Sequence, residues 1–215
     1  MANKEHLDLV LQGLEAWNKF RRTQPDVRPD LSGADLSGYD FTRMDFTKTD
    51  FTGSDLSDTY MLQANLEEAN LTEANLTEAD IIDANLIKAV LTSAKLFMTD
   101  LSGTGMVRAN LEGADLSKAN MTRTALPWGI LRGCKLIAAN LKMADLREAD
   151  LTNADLSQAN LQDASLVGTI FRGTNLQTTK NISLELLGKT KTLYNAQLDR
   201  MAQEIIETNC PHLLK

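Results

Sequence analysis

Ala69-Asn70-Leu71-Thr72-Glu73 and, further along, Ala149-Asp150-Leu151-Thr152-Asn153 are two copies of one five-residue unit. Stepping by five from Leu31, the chain puts a large apolar residue at every stop through Phe41, Phe46, Leu71, Ile81 and Leu111 to Leu176, thirty in all with no slip of phase. Two residues before each stop the side chain is small: Ala at 17 of the 30 positions and Thr, Ser, Gly or Cys at ten more, with Pro29, Tyr39 and Met44 the exceptions. One residue before each stop, Asp or Asn fills 21 of the 30. Internal repetition on this scale sets the architecture before any local propensity does.

A period of five fits neither an α-helix nor a flat strand. On a helix, successive stops would turn by about 140° and scatter the apolar residues over the whole surface. A coil with one corner per five residues turns all of them inward. Between corners there is room only for a short β-bridge, and Asx or Ser/Thr side chains beside a corner can bond the local backbone. Eight of the 12 glycines, among them Gly33, Gly113 and Gly133, lie two residues after a stop, where a type II turn needs positive φ. Glu68 and Arg108 hold the same slot elsewhere, so a mixture of turn types is expected.

The repeat A-(D/N)-L-x-x over residues 29–178 resembles the pentapeptide-repeat family. The resemblance implies an all-β solenoid, a right-handed quadrilateral parallel β-helix of about seven and a half coils with four repeats in each. Coils should stack at about 4.7–4.9 Å, with Ala at the small slot making room for its neighbour's Leu.

A solenoid needs its ends covered. Residues 1–28 are expected to be an N-terminal cap, with an amphipathic helix over 4–22 whose apolar stripe is Leu7, Val10, Leu11, Leu14 and Trp17, broken by Pro25 and Pro29. The period ends at 178, and residues 179–215 are expected to be a helical C-terminal cap. Ser183 to Leu187 reads as one turn stopped by Gly188, and 197–208 reads as a helix with Leu198, Met201, Ala202, Ile205 and Ile206 on one face before Pro211. Each terminal segment has five basic and four acidic residues, which suits capping and not a basic membrane-binding helix.

The 215 residues are 43% hydrophobic but only 5% aromatic, so the core must be built from Leu and Ala. A net charge of −7 argues against direct binding to nucleic acid. No stretch of 18 apolar residues can span a membrane, the N-terminus lacks the pattern of a signal peptide, and a cytoplasmic location is expected. His6 and His212 lie near the two ends, away from any acid or thiol cluster. Cys134 takes an inward Ala slot, and pairing it with Cys210 would require the tail to fold back about two coils, so no disulfide is expected. There is no phosphate-binding loop, dinucleotide fingerprint, zinc spacing or nucleophile elbow. The many Asp residues recur at the corner-forming slot, so neither a catalytic nor a metal site is read from them. The chain is expected to be no enzyme and to use no cofactor.

What remains is surface. Residues 29–86 hold 13 acids against Arg43 and Lys48, whereas 87–178 hold eight acids and ten bases. Some members of the family that the repeat resembles protect DNA gyrase from quinolones with an acidic rod shaped like duplex DNA. Glu67, Glu68, Glu73, Glu78 and Asp83 lie outside the corner-forming slot and are the candidates for such a surface. A second surface follows from stacking residues 20 apart. Ile87, Val107, Pro127 and Val167 share one outward slot, Val90, Ile130 and Ile170 lie just around the corner, and Trp128 sits beside them. Such apolar strips mark interfaces, and Trp is a favoured anchor. The expected function is a protein-interaction scaffold or regulator, its partner a foreign protein or a second copy in a homodimer; the alternative is a DNA-mimicking binder of a DNA-binding enzyme such as gyrase.

Overall fold

Beside each apolar stop the backbone bonds to the neighbouring coil through a pair of N–H to carbonyl bonds. In the computed structural model, which describes residues 2–215, the Leu31 N–H donates to the carbonyl of Asp50 at 2.8 Å, and the Asp50 N–H donates to Pro29 at 2.8 Å. The pattern repeats as single parallel bridges between residues 20 apart, from Asp30 to Asp50 up to Asn160 to Lys180. Twenty residues make one coil of four faces, so the chain is a right-handed quadrilateral β-helix. The faces are named here by their stops: first (Leu31, Phe51, Leu71), second (Leu36, Leu56, Leu76), third (Phe41, Met61, Ile81) and fourth (Phe46, Leu66, Leu86). All thirty stops are at most 2% exposed.

The corners are uniform, which corrects the expected mixture of turns. At every one of the thirty corners, the residue two after the stop has φ between 54° and 73°, whether it is Gly33 or Glu73. Turn closure runs from stop to small slot, as in the Ala64 N–H to Met61 carbonyl bond of 3.1 Å, the arrangement of a type II turn. A non-glycine residue adopts this conformation at a cost of about 1–2 kcal/mol. The N–H of that residue also bonds the next coil (Glu73 to Thr92, 2.9 Å), so the stack holds it there.

The Asp/Asn slot also has its account. Asp55 Oδ1 accepts from the Ser57 N–H at 3.0 Å and the Ser57 hydroxyl at 2.7 Å, closing an Asx turn across the corner. Asn75 of the next coil donates its side-chain amide to the same oxygen at 3.0 Å. Inside, the small-slot hydroxyls of Thr99, Thr104, Thr124, Thr169 and Thr174 donate to the previous coil, as Thr104 does to Ile81 at 2.8 Å, whereas Thr59 bonds Leu56 of its own coil. Cys134 makes the equivalent bond to Leu111 at 2.8 Å, and burial pushes its thiol up to about 12. Both cysteines are free.

At the base of the rod, the single helix expected over 4–22 is two: α1 (Lys4–Leu11) and α2 (Leu14–Thr23). Gly13, at φ 89°, turns the chain between them. Trp17 and Phe20 of α2 are buried, and Trp17 packs on Phe46, closing the first coil. At the other end the solenoid does not stop at 178. After α3 (Leu184–Leu187) the ladder resumes with Ile170 bridged to Thr192 and Asn175 to Gln197, a register of 22 in place of 20. Leu193 is fully buried at a new stop, and Asn195 (φ 56°) makes its corner. Because Gln197 is held in this ladder, α4 spans Arg200–Asn209 and starts later than the expected 197.

Candidate interaction surfaces

The corner between the fourth and first faces carries the apolar strip. Its outward column is Ile87, Val107, Pro127, Arg147 and Val167, and the bridged column beside it reads Val90, Asn110, Ile130, Asp150, Ile170. Trp128 is 54% exposed and Val167 47%, whereas Ile87, Val90, Val107, Ile130 and Ile170 are half-buried between their ladder neighbours. Pro127, expected to face outward, is buried, its compact ring lying between Val107 and Arg147 of the adjacent coils. The Arg108 guanidinium stands over the Trp128 ring, 5.8 Å from its centroid.

Charged side chains break this strip. Arg147 folds back on Asp145 with contacts of 2.6 and 2.8 Å, and Arg132 reaches across to Asp150 at 2.7 Å. Burial would push Asp150 up, but Thr152 and Arg132 hold it below its ordinary value. The uninterrupted part is therefore Ile87–Val107–Pro127 with Trp128 beside it.

The five acids do not make one surface. Glu68, Glu73, Glu78 and Asp83 stand at four successive corners and so point in four directions around a single coil. Glu67 is half-buried, and Glu68 lies between Lys48 at 3.8 Å and Lys88 at 3.2 Å, the Lys88 ammonium lowering its pKa. The third face and the corner before it hold exposed apolar residues outside both sequence-derived surfaces: Tyr39 (44%), Tyr60 (50%) and Met98 (48%). Tyr39 and Tyr60 are visible in the sequence as bulky residues at slots that elsewhere hold Ala and Asp or Asn.

Among the described residues, no group of three or more His, Cys, Asp and Glu side chains is arranged to hold a metal ion, and no helix is long and apolar enough to cross a membrane.

Eight copies of the pentapeptide-repeat sequence family match the chain, over residues 30–61, 60–96, 94–136, 129–153 and 139–177. The chain belongs to the pentapeptide-repeat family. No curated protein sequence matches it. Among solved structures, the fold is similar to that of QnrB1, described as a plasmid-mediated fluoroquinolone resistance protein. One trypsin-treated variant of QnrB1 is 17% identical, with a TM-score of 0.58 over 85% of this chain and 92% of that one. The full-length QnrB1 is 16% identical, with a TM-score of 0.55 over 83% and 95%. HetL from the cyanobacterium Nostoc sp. strain PCC 7120 is 26% identical over 92% of this chain and 94% of its own, with a TM-score of 0.35.

Proposed function

We propose that the protein is a non-enzymatic interaction rod of the cytoplasm that holds a protein partner along the corner around Trp128. The observation that carries this reading is the indole itself. A Trp more than half exposed stands at a corner slot beside three coils of apolar residues, with a guanidinium over its ring. A rigid aromatic beside a cation is the usual makeup of an interface anchor. Bridge spacing repeats along the corner, so an extended or helical partner segment would meet equivalent positions on successive coils. Changing Trp128→Ala together with Ile130→Asp should leave folding intact, since both side chains lie outside the core, and should abolish the capture of partners from the native cell. Identical sets of captured proteins for the variant and the wild type would overturn it.

A second reading rests on the 13 acids against two bases in residues 29–86. An acidic rod of this fold, which QnrB1 shares, suits mimicry of duplex DNA toward a DNA-binding enzyme. It predicts inhibition or protection of gyrase that weakens with salt and with neutralisation of Glu73, Glu78 and Asp83. No effect on supercoiling at micromolar protein would remove it.

A further inference from the structure

The corner columns flanking the third face carry charges that are antisymmetric about one coil. Register places residues 20 apart above one another. On the corner that follows this face the charged residues are Arg43, Asp83, Arg123 and Asp163; on the corner that precedes it they are Asp58, Glu78 and Lys118. Reversed about the coil that holds Met98 and Gly103, each column meets its own opposite. Arg43 falls against Asp163, Asp83 against Arg123, and Glu78 against Lys118, while Asp58 meets Ala138. No like charges meet in either column.

Such a reversal is what a second copy presents when it lies antiparallel with its third face on this one. A two-fold axis in the plane of contact, perpendicular to the rod, reverses the order of coils and keeps each corner against the same corner. Both rods rise by the same amount per coil, about 4.8 Å, so the pairs stay in register over about 30 Å. The side chains are also free to make these contacts. All six are exposed, and none forms an ion pair among the described residues, in contrast to Lys48, Glu68 and Lys88 on the other side of the rod. Arg43 donates to Gln63 at 3.2 Å, and the Lys118 ammonium lies 5.3 Å from the centroid of the Phe97 ring. At the axis, Met98 is exposed on one corner and Phe97 is half-buried beside it. On the other corner Gly103 leaves a gap over which the Asp83 carboxylate lies.

We propose that the protein forms a closed antiparallel dimer through this third face, with Arg43–Asp163, Asp83–Arg123 and Glu78–Lys118 pairs each made twice across the two-fold axis. The corner around Trp128, between the fourth and first faces, stays open in this dimer. One contact works against it. Asp100, on the axis, faces its own copy, although Ser102 and Asn120 donate to its carboxylate at 2.8 and 3.0 Å.

Sedimentation equilibrium of the full chain tests the pairing. The wild type should be a dimer whose dissociation constant rises with salt. Asp83→Arg and Arg123→Asp should each weaken it by about tenfold or more, because each puts like charges together twice. The two changes on one chain should restore wild-type association, and Asp100→Asn should tighten it. Circular dichroism and melting establish that the variants are folded; should either melt early, Glu78→Lys with Lys118→Glu makes the same comparison. A wild type that stays monomeric at high micromolar concentration overturns the proposal. So do single reversals without effect, or a folded double reversal that fails to recover.

Discussion

The indole N–H of Trp17 donates to the carbonyl of Asp45 at 2.7 Å, tying α2 to the first coil of the solenoid. The same helix sends Arg21, only 5% exposed, to the carbonyls of Val27 and Thr47 at 2.7 and 2.8 Å. The helical hairpin is thus bonded to the open end of the stack as another coil would be, and Trp17 fills it against Phe46. Trp17→Ala should cost about 3–5 kcal/mol, read as a lower denaturant midpoint. Removing residues 1–28 should uncover Leu31, Leu36, Phe41 and Phe46 together with an unpaired row of backbone groups, and produce higher-order species by light scattering. A truncated chain that keeps the oligomeric state and melting point of the full chain would show that the hairpin is not a cap.

Thr49 and Thr104 occupy equivalent small slots and should respond oppositely to the same substitution. Thr104 donates to Ile81 one coil below, whereas Thr49 lies near the cap, and its buried hydroxyl has no partner among the described residues. Thr104→Val should destabilise by about 1–3 kcal/mol by orphaning a buried carbonyl, while Thr49→Val should be neutral or stabilising. Equal losses in chemical denaturation would refute this account of the inward hydroxyls.

The solenoid is legible in the sequence because one rule, a large apolar residue every fifth position, is obeyed thirty times. Where the rule changes phase the reading fails. The two additional residues around α3 move the next stop from 191 to Leu193, which a strict count of five cannot find. Gly13 is hidden within an otherwise regular apolar stripe, since the pattern alone does not distinguish a tolerated glycine from one at φ 89°. The columns of the candidate surfaces can be assigned from register, but not how deep each side chain sits. Pro127 is buried and Trp128, the next residue, is exposed, because the corner turns between them.

Acid should loosen the corners before it affects the core. The Ser57 hydroxyl and N–H hold the Asp55 carboxylate below its usual range, and Thr42 does the same for Asp40. A carboxyl group whose pKa is lowered on folding adds stability that is complete above the unfolded value, near 4, and is lost as pH falls through the folded one. Melting temperature should therefore be insensitive to these groups from neutral pH to about 5 and fall below about 4. Asp55→Asn, which keeps an acceptor but cannot titrate, should lose less on acidification than the wild type. An unchanged or steeper acid loss in that variant would mean that other groups set the acid limit.

Gly133 and Gly105 should respond with opposite signs to one substitution. Neither would meet a neighbouring atom within 4 Å if given a Cβ, so packing does not distinguish them. Gly133 is a corner residue at φ 64°, where a Cβ is strained by about 1–2 kcal/mol. Gly105 lies in the bridged slot between Asn85 and Ala125, with no left-handed φ. Alanine there restricts the unfolded chain without strain in the folded one, a gain of about 0.4–1 kcal/mol. Gly133→Ala should therefore lower the denaturation midpoint and Gly105→Ala should raise it. The many corners already occupied by Glu, Lys or Asp show that the stack tolerates this strain, not that it is absent. If Gly133→Ala were as stable as wild type, the ladder bonds would be setting the corner conformation alone, and the eight corner glycines would carry no energetic weight.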